Sequence, residues 1–183
     1  MKKFLQIFLV SAFVLGITLN AKAQNMDDIL YIELESGTVA IEMKPDLAPQ
    51  HVERIKKLAN AGFYDGIVFH RVIDGFMAQT GDPTGTGTGG SMEADLPAEF
   101  SDTNFGRGTI GMARTSDPNS ANSQFFICFD DCSFLNGQYT IWGQVIEGMD
   151  LVDGLKRGEP PRNPDKMIKV TVGANESKAA VNE

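Results

Sequence analysis

Residues 69–82 read FHRVIDGFMAQTGD, and this stretch carries the clearest structural signal in the chain. Two apolar runs flank the pair Asp74-Gly75, which is a strong short-range signal for a β-hairpin. Arg71 stands inside the first run, where an edge-strand arginine exposed to solvent is the ordinary interpretation. A two-residue turn would place Arg71 opposite Ala78, whereas a bulge or a longer turn would change that partner.

Short strands continue outward on both sides of this hairpin. They are predicted at 29–35, 39–43, 67–73, 76–80, 109–113, 124–129, 139–146 and 167–172. One helix opens at Pro49 and ends near Gly62, and a second covers about 148–155. Eight strands without strand–helix alternation predict a mainly β fold, and an antiparallel barrel with two short helices buries such strands without exposed edges.

The chain has 183 residues, with 16 Lys and Arg against 24 Asp and Glu, and a formal net charge of −8. Its length fits one domain with a large enough core to fold without metal or disulfide. The acidity argues against a nucleic-acid partner, since phosphate contacts need a basic face.

The first 23 residues resemble a secretory signal peptide. A basic start is followed by an apolar run at 4–19, and Ala21-Lys22-Ala23 supplies small residues for cleavage. The alternative is a membrane anchor, but the run is short for a span of about 20 residues. We therefore expect export, most simply to the periplasm, no membrane span after cleavage, and a flexible tail at 176–183.

Two further patterns carry little chemistry. A G-x-G-x-x-G run lies at 85–90, but no helical pattern follows it, which favours a flexible surface loop over a dinucleotide site. Cys128 and Cys132 are the only cysteines. Cys128 ends a predicted strand and Cys132 lies in a turn, which favours one buried thiol and a separate one. Whether the two cysteines are bridged stays open. The two histidines match no ligand spacing, so no metal site is predicted.

Two later segments add to the surroundings of Arg71. Gln124 and Phe126 share one face of a strand by alternation, and Phe134-Leu135 is an apolar pair in a loop. Together with Met77, these side chains make an apolar pocket with few polar groups, as in a small-ligand site.

Three runs then point to one family: FHRVIDGFMAQTGD, GMARTSDPNSANSQFFI and FLNGQYTIWGQV. They closely resemble the cyclophilin-type peptidyl-prolyl cis/trans isomerases, in the family's order and over about residues 29–172. The resemblance implies one isomerase domain at about 27–175, folded as a closed eight-stranded antiparallel β-barrel capped by two helices.

The resemblance also implies residue roles. Arg71 matches the catalytic arginine and Gln79 the glutamine that orients it, so the two should share one site. The substrate-binding positions implied by the resemblance are Phe76, Met77, Ala113, Arg114, Gln124, Phe126, Phe134, Leu135 and Tyr139. Arg114, Phe134 and Tyr139 differ from the Asn, Trp and His of many eukaryotic members.

These residues suit the rotation of an X–Pro bond, which has a barrier of about 18–20 kcal/mol and moves no proton. We therefore expect a monomeric isomerase without cofactor or metal that acts on proline-containing peptides and folding exported proteins. The alternatives are a proline-peptide binding module or holdase with incidental turnover, and a hydrolase that uses His70.

Overall fold

The computed structural model of the protein describes residues 26–173. The predicted signal peptide at 1–23 and the predicted tail at 176–183 lie outside the described residues. Within them, the backbone forms eight strands and two α-helices, as the sequence predicts, together with short 3-10 turns at Met26–Asp28 and Ser133–Leu135. None of the helices in this part of the chain is long and apolar enough to cross a membrane.

The strands are β1 (Ile29–Leu34), β2 (Gly37–Met43), β3 (Arg71–Ile73), β4 (Met77–Thr80), β5 (Thr109–Met112), β6 (Phe125–Cys128), β7 (Ile141–Glu147) and β8 (Lys169–Val172). They form one antiparallel sheet in the order β3-β4-β6-β5-β7-β2-β1-β8. The central strands β5 and β6 are buried at every position, so both faces of the sheet are covered there.

The structure agrees with the predicted eight-stranded antiparallel fold with two helices but does not show the barrel closed. The eight strands form a half-barrel, and no ladder between β3 and β8 joins its two ends among the described residues. Residues 67–69, predicted as the start of β3, instead make isolated backbone bonds to 165–167, including Met167 N–H to the Ile67 carbonyl at 2.9 Å. Such single bridges do not extend a strand, so β3 begins only at Arg71.

The helices pack against the sheet. Helix α1 (Pro49–Asn60) lies on β8 and α2 (Met149–Asp153) on β2. Proline suits the first position of α1, where its missing N–H costs no helical hydrogen bond. The helix ends at Asn60 with Ala61 as its C-cap, one residue before the predicted Gly62, which follows with φ +68°. The N–H of Gly62 bonds the Ala59 carbonyl, and the N–H of Phe63 bonds that of Leu58.

The main core lies between α1 and the sheet and contains Phe69, Phe125, Phe129 and Trp142. A second, smaller apolar cluster lies apart from the main core, and the candidate site is built on it.

Candidate active site

The smaller cluster supplies the floor of the site. It consists of Met77, Phe105, Phe126, Cys128, Cys132, Leu135 and Ile141. Gly111 makes this packing possible, because a Cβ there would lie 2.5 Å from Cζ of Phe126 and 2.8 Å from Cε1 of Phe105. Without that atom, the two rings stack with centroids 5.9 Å apart. The Phe126 ring therefore presents a fixed apolar face to the surface.

A cavity of about 130 Å³ opens above this floor. Its lining consists of Arg71, Phe76, Met77, Gln79, Ala113, Arg114, Phe126, Leu135 and Tyr139. The structure thus gathers nine of the eleven predicted site residues around one small cavity with apolar and polar walls. The other two, Gln124 and Phe134, lie beside it.

The β3–β4 hairpin explains how the arginine reaches this cavity. Its loop has three residues rather than two: the N–H of Phe76 bonds the Ile73 carbonyl at 3.1 Å, and Gly75 is the third residue of this turn, with φ +68°. The extra residue places Arg71 opposite Gln79. The pairing with Ala78 expected for a two-residue turn is therefore wrong, and the longer-turn alternative is correct.

Two partners hold the Arg71 guanidinium. Nε donates to Oε2 of Glu159 at 2.7 Å, and Nη1 donates to Oε1 of Gln79 at 3.4 Å. Glu159 reaches this position because Val72 and Gly158 exchange two backbone hydrogen bonds of 2.8 Å, which fix the 158–159 segment beside β3. An arginine held on two sides presents its remaining donors in a set direction.

Gln79 is itself held by Gln124. Nε2 of Gln79 donates to Oε1 of Gln124 at 2.9 Å, and Nε2 of Gln124 donates to the carbonyls of Gly87 and Gly89 at 3.1 and 2.8 Å. Gln124 lines a neighbouring groove of about 450 Å³ that shares Gln79, Ala113 and Arg114 with the cavity. The cavity and groove form one continuous depression.

Aromatic side chains frame the rim. Phe134 is 62% exposed, and its ring centroid lies 5.2 Å from that of Phe76. Tyr139 meets Phe126 edge-on at 5.7 Å, and the Arg114 guanidinium lies 4.4 Å from the centre of the Tyr139 ring. Phe134 is therefore an exposed ring at the edge of the site, not part of the cavity wall.

Sequence reasoning missed Glu159 and Asp82. Glu159 lies 88 residues from Arg71, in a polar segment without periodicity, and no local pattern marks it. Asp82 immediately precedes the Gly/Thr-rich run, and its side chain is bound to that run's backbone. A lone acid beside a glycine-rich run was the one available signal, and it was interpreted as part of a flexible loop.

The hydrolase alternative has no support in the described residues. His70 is 4% exposed, and neither ring nitrogen has a hydrogen-bond partner there, so it forms no pair with a nucleophile. Burial lowers the pKa of His70 and favours the neutral ring. The residues that the structure describes also contain no group of three His, Cys, Asp or Glu side chains able to hold a metal ion.

Cys128 and Cys132 are separate free thiols, as the sequence favours, and both are buried. Sγ of Cys132 donates to the Phe76 carbonyl at 3.6 Å. Burial raises the pKa of the Cys128 thiol. Both cysteines belong to the apolar cluster beneath the site.

The comparisons with known proteins agree with this geometry. The model of the cyclophilin type peptidyl-prolyl cis-trans isomerase family matches residues 29–172. The chain belongs to this family. It is therefore a peptidyl-prolyl cis-trans isomerase, as the three sequence runs indicate.

Relatives of this cyclophilin cover most of the chain. A probable peptidyl-prolyl cis-trans isomerase of Brucella suis is 52% identical over 180 residues, which are 90% of this chain and 92% of that relative. A peptidyl-prolyl cis-trans isomerase of Synechococcus elongatus is 40% identical over 141 residues, covering 77% and 93%.

Solved cyclophilins share the fold. Cyclophilin AquaCyp293 from Hirschia baltica aligns with a TM-score of 0.75 and 30% identity, over 81% of this chain and 74% of that one. A Cryptosporidium parvum cyclophilin, solved in the presence of the dipeptide Ala-Pro, aligns with a TM-score of 0.74 and 29% identity, over 80% and 99%.

Proposed function

We propose that this isomerase accelerates X–Pro rotation in proline-containing segments of exported proteins as they fold, and that it works as a periplasmic monomer without cofactor or metal. The observation that supports the chemistry most is an arginine held on two sides at the wall of a small apolar cavity. The Cryptosporidium parvum cyclophilin solved in the presence of Ala-Pro supports a proline-containing ligand for this cavity.

In the proposed mechanism, the proline ring enters the cavity and packs on Phe126, Met77 and Leu135. At the planar ground state the imide nitrogen is a poor acceptor because its lone pair is delocalised. At the twisted transition state the lone pair returns, and a guanidinium donor of Arg71 bonds it more strongly. Such binding favours the transition state over the ground state, as catalysis requires.

The magnitude of this one hydrogen bond limits what Arg71 does. A hydrogen bond to a charged group contributes about 1.5–3 kcal/mol, which corresponds to roughly 10- to 150-fold in rate. The rest of the acceleration comes from holding the ring while the preceding carbonyl turns. Phe76 and Tyr139 lie where they would restrict that motion and exclude water.

The test is the exchange rate of an Ala-Pro peptide measured by NMR without a coupling protease. We expect Arg71→Ala to lower the catalysed rate about 10- to 150-fold while the protein stays folded. Arg162→Ala is the matched control, because Arg162 is exposed and lies outside the cavity lining. An unchanged rate in Arg71→Ala would exclude Arg71 as the catalytic group.

The binding-module or holdase alternative predicts a different result. A binder would retain peptide affinity in Arg71→Ala and would show little turnover in the unsubstituted protein. The same samples therefore distinguish the alternatives when peptide affinity is measured by calorimetry beside the exchange rate. The two-sided support of Arg71 favours catalysis, since binding a proline ring alone needs only the apolar walls.

A further inference from the structure

The Gly/Thr-rich loop at 81–90 is organised around one buried carboxylate. Asp82 is 1% exposed. Its two oxygens accept four backbone N–H groups: Thr84 at 2.7 Å, Thr86 at 3.1 Å, Gly87 at 2.6 Å and Gly89 at 3.1 Å. The Thr84 hydroxyl adds a bond of 2.8 Å. The loop predicted as flexible is thus tied to a single side chain.

The loop presents two backbone carbonyls to the site, those of Gly87 and Gly89. Both accept a hydrogen bond from Nε2 of Gln124. Carbonyls are acceptors only, so they fix which end of the Gln124 amide faces the loop. Its Nε2 must point toward the loop, and its Oε1 must point toward Gln79.

The same rule then fixes the next amide. Because Oε1 of Gln124 is an acceptor, Gln79 must turn its Nε2 toward it, which leaves Oε1 of Gln79 facing Arg71. Were either amide turned over, an NH₂ group would face the guanidinium and repel it. We call this chain of hydrogen bonds, from the loop carbonyls through Gln124 and Gln79 to Arg71, the relay. The orientation of both amides in the relay is set by the loop carbonyls.

We infer that Asp82 is a positioning residue for Arg71, acting through the Gly87 and Gly89 carbonyls and the amides of Gln124 and Gln79. This inference rests on the proposed catalytic role of Arg71. Asp82 suits the task because an ionised carboxylate only accepts hydrogen bonds, and each N–H of the loop needs an acceptor. An asparagine at position 82 would turn a donor toward those amides.

The first test is Asp82→Asn in the full chain. We expect kcat on an Ala-Pro peptide to fall about tenfold with KM nearly unchanged, since the apolar walls that bind the ring stay intact. The side-chain ¹⁵N–¹H NMR signals of Gln79 and Arg71 should shift as well. Asp117→Asn is the control: Asp117 also accepts a loop N–H, from Asn119 at 2.9 Å, but does not line the site.

A double-mutant cycle separates positioning from general stability. Gln124→Leu breaks the relay between the loop and Gln79. If Asp82 acts through Gln124, Asp82→Asn should lower kcat little further in the Gln124→Leu background. Fully additive losses, unmoved Gln79 and Arg71 signals, or an unchanged kcat in Asp82→Asn would each overturn the inference.

A second variant covers the case in which Asp82→Asn fails to fold. Gly89→Ala keeps the charge of Asp82 but places a Cβ 2.2 Å from its Oδ1, so either the carboxylate or the Gly89 backbone that bonds Gln124 must shift. The same fall in kcat and the same NMR shifts are expected, and their absence counts against the relay.

If Arg71→Ala keeps full activity, the proposed catalytic role fails. If Arg71→Ala is inactive while both loop variants behave as the unsubstituted protein, only the present inference fails.

Discussion

Arg71 is held by one charged and one neutral partner, and the two contribute differently. The ion pair with Glu159 is partly solvated, with side-chain exposures of 40% and 53%, so its contribution to stability is small. Its geometry matters more, because a bond at Nε fixes the plane of the guanidinium. Gln79 then fixes the rotation of that plane about the side-chain axis.

Glu159→Gln tests the charged partner. We expect kcat to fall about two- to fivefold, the range for a partly exposed ion pair, with less than about 0.5 kcal/mol lost in stability. High salt should narrow the difference between the unsubstituted protein and the variant only in part, because the ion pair is 2.7 Å long and the screening length at 1 M salt is about 3 Å. The measurement is peptide exchange by NMR at low and high salt.

Glu53→Gln is the control for this experiment, because Glu53 is exposed on α1 and outside the site. A variant at position 159 that retains full kcat at low salt would show that Gln79 alone orients Arg71.

Single residues also mark the limit of sequence reasoning. Arg71 and its apolar neighbours fall within contiguous runs, so the resemblance finds them. Glu159 and Asp82 act through long-range or backbone contacts that leave no periodic pattern. Gln124 was found, but its link to the loop carbonyls depends on a fold that joins positions 35 and 37 residues apart.

Among the strands and helices, local patterns predicted the kind of structure better than its limits. Alternation and helical spacing found all eight strands and both helices. The hairpin register stayed open because the same Asp-Gly pair fits turns of two or three residues. Only the three-residue loop brings Gln79 opposite Arg71. The prediction for β3 was too long at its start, because residues 67–69 are apolar but lack a continuous partner strand.

Helix α1 shows a long-range contact that stabilises a local structure. Ala48 offers no side-chain cap, and the carboxylate of Glu99 takes that place. It accepts the N–H groups of Gln50 and His51 at 3.2 and 3.1 Å, and Nδ1 of His51 at 2.6 Å. These bonds hold the pKa of Glu99 below its ordinary value, even though burial by itself would raise it.

Glu99→Ala should therefore destabilise the protein by about 1–2 kcal/mol, the usual effect of losing a helix cap, with a further cost for the unpaired His51 nitrogen. Urea unfolding at neutral pH measures this change. Glu93→Ala is the control, since its bond to Lys57 is exposed, and we expect less than about 0.5 kcal/mol there. Equal losses in both variants would contradict the capping role.

The acid response of the protein as a whole follows from several bound carboxylates. The pKa values of Asp82, Glu99 and Asp165 are all lowered, in each case because hydrogen bonds outweigh the effect of burial. A carboxyl with a lower pKa in the folded state takes up protons more readily when the chain unfolds. Stability should therefore fall as the pH drops below about 4.

Asp82 dominates this response, since its pKa is lowered from 3.8 to about 2. That difference corresponds to about 2 kcal/mol, present above about pH 4 and lost as the pH falls through about 2. Asp82→Asn should thus be about 2 kcal/mol less stable than the unsubstituted protein near neutral pH, and the gap should close between pH 4 and 2. Urea midpoints across this range measure it, with Asp117→Asn in parallel. A gap that stays constant down to pH 2 would mean that the loop depends on the shape of the Asp82 side chain and not on its charge.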